Sequence, residues 1–335
     1  MPANYNEKQI PIDTKILKTL RSAGAGFVSG ADIANTCGIS RAAIWLRIES
    51  LRQIGFEIEA VPHLGYKLVS TPDLLIADDI ASLLNEDVII GRDIQVYTST
   101  SSTNDIVLKL ATSNVAEGSV VFAEYQTNGR GRLGRSWISP AKKGLWFSVL
   151  LRPNLSPQLS SRIIIMASTS LVKAINQVTG IQASIKWPND ILINGKKTAG
   201  ILTEIGTELD KINYIVLGIG INVNLSKGDL PQTLSKTATS LMIESGSKVH
   251  RPTLAAAVIN QLDSDYKTLS KGNFTIIAEE WERFCETIGK NVTIHVGDRI
   301  IKGRAEAVDT DGSLMVRTQH GRLERVIGGD VTLEK

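Results

Sequence analysis

Between Gln126 and Trp137, three glycines (Gly129, Gly131, Gly134) alternate with three arginines (Arg130, Arg132, Arg135). Glycine lets backbone approach a ligand closely and take positive φ. Arginine offers a charged planar fork that matches phosphate and carboxylate. No acidic residue stands between Glu124 and Asp190, so nothing within that stretch opposes the loop's charge. Such a loop suits closure over an anion. The glycine spacing also fits the dinucleotide-binding pattern, and the apolar run at 120–123 before it reads as a strand. That pattern needs a helix to follow. Here Pro140, Gly144 and another strand-like run at 145–151 follow instead, which argues against a dinucleotide fold. A solvated basic hairpin is the bland alternative.

Other polar residues stand where chemistry could use them. Ser102, Thr103 and Asn104 end a run of hydroxyls that begins at Ser99 and leads into a helix predicted over 105–111. Such residues either cap a helix or present donors and acceptors to a polar ligand. Asn194 and Gly195, between apolar strands, are a strong hairpin signal. Lys197 follows that turn, either as an ordinary surface lysine or as a reactive cation. Asp190 belongs to a Pro-Asn-Asp turn. Gly218 and Gly220 interrupt an apolar strand predicted over 214–223 and permit close backbone approach there.

The elements that must position these groups fall into three textures. Helical spacing at 12–20 is followed by a helix from Gly30 to about Thr36, capped by Ser29 with Asp32 at its N3 position. A glycine turn at Gly38 leads to a third helix, capped by Ser40, from Arg41 to about Ile54. A hairpin follows, with strands at 56–60 and 66–69. This is a winged helix-turn-helix, whose third helix could enter a DNA major groove or serve protein contacts only. Ser40, Arg41, Ala42, Trp45 and Arg47 are the candidate DNA-facing residues, and the wing adds His63 and Lys67. A border is predicted at 70–73, then a helix over 74–84. The middle alternates strands (88–90, 94–97, 120–123, 145–151, 214–223) and a hairpin within 185–204 with helices (160–178, 253–270, 274–287), and 225–240 reads as a mobile loop. From Asn291 onward short strands form a small all-β domain. The expected fold class is therefore α+β and multidomain. Residues 1–70 form the winged helix-turn-helix, 74–287 a mixed α/β domain, and 288–335 a small β domain.

The totals bound the class. At 335 residues the chain predicts two or three domains. With 42% hydrophobic and 21% charged residues it has ordinary globular composition. A net charge of +3 confines any nucleic-acid role to a local patch. Two distant cysteines and four scattered histidines suggest neither a disulfide framework nor a metal cluster. The first eight residues lack the apolar core of a signal peptide, and no run approaches a membrane span. A soluble cytoplasmic protein is expected.

Taken together, these motifs resemble one family, the bifunctional biotin protein ligases that double as biotin operon repressors. The resemblance covers essentially the whole chain. It is carried by Ser102, Thr103 and Asn104; by Gln126 with the loop from Gly129 to Arg135; by Lys186 to Asp190; by Lys197 with Ala199, Gly200, Ile201 and Leu202; by Gly218, Gly220 and Asn222; and by Ser40, Arg41, Ala42 and Ile44. It implies an SH3-like C-terminal barrel, a biotin- and ATP-binding centre, and Mg²⁺ as cofactor. It also implies transfer of biotin through biotinyl-5′-AMP to a lysine of a biotin carrier domain, operator DNA as a second partner, and a ligand-promoted homodimer.

On that resemblance Lys197, Arg130 and Arg132 are the catalytic candidates. Ser102, Thr103, Asn104 and Gln126 would bind the ureido ring. Gly129 and Gly131 would let the loop fold over the intermediate. Trp137 is a wall of the pocket or a plain core residue, and Asn222 a nucleotide contact or a strand end. Asp190 orients Mg²⁺ or the acceptor lysine, or only shapes its turn. Leu46 stands where the family more often has a basic or polar residue, which bears on operator choice rather than catalysis.

Overall fold

The structure is a computed structural model that describes residues 10–113, 115–208 and 210–333. The N-terminal residues read above for an export signal lie outside the described residues. The chain divides into two compact units that meet between Leu84 and Asn85.

The N-terminal unit is built on caps that the sequence announces. Helix α1 (Ile12–Ser22) buries Ile16, Leu17 and Leu20. Ser29 accepts from the Asp32 amide to open α2 (Gly30–Cys37), and Gly38 ends it in the left-handed region. Ser40 accepts from the Ala43 amide to open α3 (Arg41–Gln53). Strands β1 (Glu57–Val61) and β2 (Gly65–Ser70) form the antiparallel wing. Ile16, Leu20, Ile33, Ile44, Ile48 and Phe56 share one core.

The helix predicted over 74–84 is only one turn long, α4 (Ala77–Ala81). It belongs to this unit, although the sequence suggested a border at 70–73. Thr14 donates to Asp78, and Arg21 pairs with the fully buried Asp79 at 2.6 Å. A buried carboxylate requires such a partner, and α1 supplies it.

The second unit opens with β3 (Asp93–Tyr97), α5 (Thr103–Thr112), β4 (Ser119–Ala123), β5 (Gly144–Leu151) and α6 (Ser161–Thr179). It continues through β6 (Ser184–Lys186), β7 (Asp190–Ile193), β8 (Lys196–Glu208), β9 (Lys211–Asn222), α7 (Leu241–Ser245), α8 (Arg251–Ser270) and α9 (Phe274–Phe284). The seven strands order as β3-β4-β5-β9-β8-β7-β6, with only β3 and β4 parallel. Helices α6, α8 and α9 pack together on one side of the sheet. On the other side Val107 and Ala111 of α5 cover Val121, Leu150 and Val216.

The strand expected at 88–90 is irregular. Its Ile89 and Ile90 amides donate to the Asp263 carboxylate of α8 instead of to a neighbouring strand. Helix α9 stops at Phe284, and α7 had no counterpart in the sequence reading.

The unit closes with β10 (Asn291–Val296), β11 (Arg299–Val308), β12 (Leu314–Thr318), β13 (Leu323–Val326) and β14 (Asp330–Leu333). These form a five-stranded antiparallel sheet in the order β13-β12-β11-β10-β14, matching a small SH3-like fold. The runs read as two strands at 300–301 and 305–308 are the single strand β11, bent at an irregular register near Ala305. Among the described residues no helix is long and apolar enough to cross a membrane.

Candidate active site

Strand register creates the floor of the site. Ser148 of β5 lies opposite Gly218 of β9, and Gly218 lies opposite Leu202 of β8. One step along, Trp146, Gly220 and Gly200 align in the same way. Because side chains alternate, these residues share the face that carries α5. Beyond the helix, that face is therefore paved with glycine. A Cβ on Gly218 would lie 2.3 Å from Asn104 Oδ1, and one on Gly220 2.5 Å from Trp137 Nε1. Both glycines run in ordinary strand conformation, so what they provide is space.

Over this floor lies a cavity of about 710 Å³, within the usual range of roughly 300–1,000 Å³ for small-molecule sites. The structure brings Ser102, Thr103, Asn104, Gln126, Arg130, Gly131, Arg132, Trp137, Asp190, Lys197 and Asn222 to its wall, all of them expected from sequence. Gly129 is absent from the lining. A Cβ there would lie 2.4 Å from the Trp137 carbonyl, so this glycine lets the two sides of the loop pair closely and does not face the cavity.

One end of the cavity is a network of neutral donors and acceptors. Helix α5 starts at Thr103, two residues earlier than expected, which draws Thr103 and Asn104 into its first turn. Ser102 occupies the N-cap position, but its side chain makes no capping bond, so the capping alternative does not hold for it. The Thr103 amide donates to Gln126 Oε1 at 2.9 Å, and Gln126 Nε2 donates to Ser139 Oγ at 2.9 Å. Thr103 Oγ1 lies 2.7 Å from Ser148 Oγ, which donates to Asn104 Oδ1 at 2.6 Å. This leaves Asn104 Nδ2 buried without a hydrogen-bond partner among the described residues. Buried donors are normally satisfied, so this one is left open to an acceptor in the cavity.

The other end is cationic. By strict alternation Lys197 would share the face of Ala199, away from the cavity. The β7–β8 register shifts between Ile191 and Leu192, so Lys197 lies opposite Leu192 while Ala199 lies opposite Ile191. This bulge turns Lys197 onto the glycine face. Its Nζ pairs with Asp190 at 2.6 Å and lies 5.3 Å from the Trp137 ring. Its backbone is held by Thr237 and Thr239, at 2.8 and 2.9 Å. The segment expected to be a mobile loop is thus paired, in part, beside the lysine. Asn222 Nδ2 donates to the Thr239 carbonyl at 2.9 Å, which ties that segment to β9.

Arg132 donates to Asn189 Oδ1 at 3.0 Å, and among the described residues no carboxylate lies within ion-pairing distance of it. Burial pushes its guanidinium below the ordinary value against the pull of Asp190 and Asp330, but an arginine stays charged. Arg130 has a different setting. It pairs with Asp105 at 2.7 Å and with Glu204 at 3.1 Å. Burial works against its charge, but the two carboxylates outweigh it and raise its pKa.

Three contributions escaped the sequence reading. Ser148 is the lone polar residue of an apolar strand, a signal that could have marked it. Asn189 lay within a recognised motif without a role. The C-terminal sheet supplies His295 and residues 329–332 to the cavity wall, and Asp330 pairs with Arg135 of the loop; nothing local in sequence points to that. Among the described residues no group of three or more His, Cys, Asp or Glu could hold a metal ion.

The winged unit leaves Ser40, Arg41, Ala42, Trp45 and Arg47 exposed on or beside α3. Arg47 also meets Asp13 at 3.5 Å. Trp45 and Leu46 are 53% and 59% exposed, so neither is used in the unit's core.

Three stretches of the chain match known protein families. Residues 96–222 match the Biotin/lipoate A/B protein ligase family, 13–67 an HTH domain and 287–333 the Biotin protein ligase C terminal domain. The chain is 37% identical to the bifunctional ligase/repressor BirA of Bacillus spizizenii, over 95% of this chain and 97% of that one. It is 29% identical to the protein of the same name from Escherichia coli, over 93% and 94%. The solved structure of the Aquifex aeolicus biotin protein ligase in complex with biotin and ATP superposes with a TM-score of 0.63 at 27% identity, covering 73% of this chain and 99% of that one.

Proposed function

The chain belongs to the family of bifunctional ligase/repressor BirA proteins, and from that premise we propose how its cavity works. It is a biotin protein ligase: it activates biotin with ATP, transfers the biotinyl group to a protein lysine, and represses transcription through its helix-turn-helix. The biotin carboxylate attacks the α-phosphorus of ATP. Pyrophosphate leaves, and biotinyl-5′-AMP remains. A lysine amine then attacks the anhydride carbonyl, an amide forms, and AMP leaves.

One observation carries the assignment of residues: the same cavity holds an unsatisfied neutral donor at one end and, on Arg132 at the other, a cation that faces a neutral amide. The ureido ring is polar and uncharged, and it suits Ser102, Thr103, Asn104 and Gln126, with Asn104 Nδ2 donating to the ring carbonyl. Carboxylate and triphosphate repel when brought together. Arg132 and Lys197 offset that repulsion and stabilise charge as the adenylyl group transfers. Trp137 forms the apolar wall between the ends and holds Lys197 by cation–π contact. Gly131 keeps the loop backbone close to the intermediate, and Asn222 positions the strip at 237–239.

The described residues form no cluster of metal ligands. Mg²⁺ keeps most of its shell as water and phosphate oxygens, so it would come with the nucleotide, with Asp190 as a carboxylate on the cavity wall. The acceptor is a biotin carrier domain. Binding of the adenylate favours a homodimer, which sets two α3 helices on operator half-sites; Ser40, Arg41, Ala42, Trp45 and Arg47 contact the DNA. The protein works in the cytoplasm.

The test is pyrophosphate release from ATP with biotin present and absent. Release that depends on biotin is expected, and release that ignores biotin would overturn the reading.

A further inference from the structure

The two loop arginines at the cavity have opposite electrostatic settings. Arg132 faces a neutral amide, while Arg130 is held by two carboxylates from different elements. Asp105 lies on the first turn of α5, next to Asn104, and also accepts from Ser101 Oγ at 2.8 Å. Glu204 lies on β8, on the same strand face as Gly200 and Leu202. The loop itself is fastened beside α5 by amides at Thr127 and Asn128, each 2.9 Å from the Thr100 and Ser101 carbonyls. An incoming anion would have to compete with both carboxylates for Arg130. It meets no such competition at Arg132.

We propose that Arg130 is a positioning residue that bridges α5, the glycine–arginine loop and β8, and so sets the spacing between the neutral donors and the cations of the cavity. This rests on the ligase reading above. A guanidinium suits such a bridge, because its planar fork holds two carboxylates in fixed directions, whereas an ammonium is a single point charge. The consequence is kinetic. The carboxylate must meet the α-phosphate at attack distance, and a displacement of about 1 Å can cost about 100-fold in rate. Each end keeps its own ligand contacts, so binding of the separate substrates changes little.

The experiment compares full-length wild type with R130K, D105N, E204Q, D105N/E204Q and R130K/D105N/E204Q in biotin-dependent pyrophosphate release, varying biotin and ATP separately. The bridge requires D105N/E204Q to fall to the level of R130K. That means kcat lower by about 10- to 100-fold, KM for each substrate within about threefold, and each single carboxylate variant intermediate. The triple variant should fall no further, because the three side chains act as one unit. If Arg130 instead grips the anion directly, D105N/E204Q frees it, and kcat stays at or above the wild-type level; that result overturns the bridge. So does a change confined to KM. Wild type without biotin-dependent release would instead overturn the ligase reading and the bridge together.

Discussion

Replacing Gly218 by alanine tests the glycine floor with one methyl group. Gly218 has ordinary strand geometry, so the backbone accepts the change. The new Cβ would lie 2.3 Å from Asn104 Oδ1 and 3.0 Å from its Cγ. Asn104 is only 3% exposed and is pinned by Ser148 at 2.6 Å, so it moves only by breaking that bond. Overpacking of this kind costs about 1–3 kcal/mol. If the strain is taken up by Asn104, biotin binding weakens by about 5- to 150-fold, at about 1.4 kcal/mol per factor of ten. Calorimetric titration with biotin reads this directly. Gly228→Ala is the control, because only Ser226 Oγ, at 3.8 Å, comes near its Cβ. Unchanged biotin affinity in Gly218→Ala, with the fold intact, would refute the claim that Asn104 and the bare strand below it form the ureido pocket.

Other expectations follow from the same geometry. Arg132→Gly removes the cation that faces Asn189 and should release biotinyl-5′-AMP, seen as biotin on bystander proteins above the wild-type level. Arg41→Ala should weaken operator binding and lower the salt slope by about one, measured by DNA binding across a salt series; an unchanged slope would remove Arg41 from the interface. For pH, hydrogen bonds from Ser226 hold the Asp229 carboxyl below its ordinary value of 3.8. A depressed carboxyl stabilises the fold fully above that ordinary value and loses the effect as pH falls through the lower folded-state value. Asp229→Asn should therefore lower stability at neutral pH and narrow its gap to wild type below about pH 4, followed by denaturant melts at each pH.

Legibility in the sequence tracked the distance over which each interaction acts. Ser29 and Ser40 satisfy amides three residues ahead, so the helices of the winged unit were readable. Asn194 and Gly195 both take positive φ, at 50° and 71°, as a two-residue hairpin requires. The glycine floor was readable as close approach, but what approaches was not. Asn104 reaches Gly218 from α5, and Trp137 reaches Gly220 from the loop. Lys197 faces the cavity because of a bulge that alternation alone does not announce. Residues 88–90 failed as a strand because Asp263, from a distant helix, takes their amides. The charge of Arg130 looked available only because its carboxylates, Asp105 and Glu204, lie outside its own stretch of chain. The wall supplied by the C-terminal sheet is likewise a product of tertiary packing.

The central claim is that one cavity both activates biotin and hands it to a protein. Mass spectrometry of a biotin carrier domain incubated with biotin, ATP, Mg²⁺ and this protein tests it most directly. The account expects one biotinyl group on one lysine with wild type and none with Lys197→Met, whose fold should be intact because the lysine is half-exposed and its backbone contacts remain. An unmodified carrier with wild type, or full modification by Lys197→Met, would contradict it.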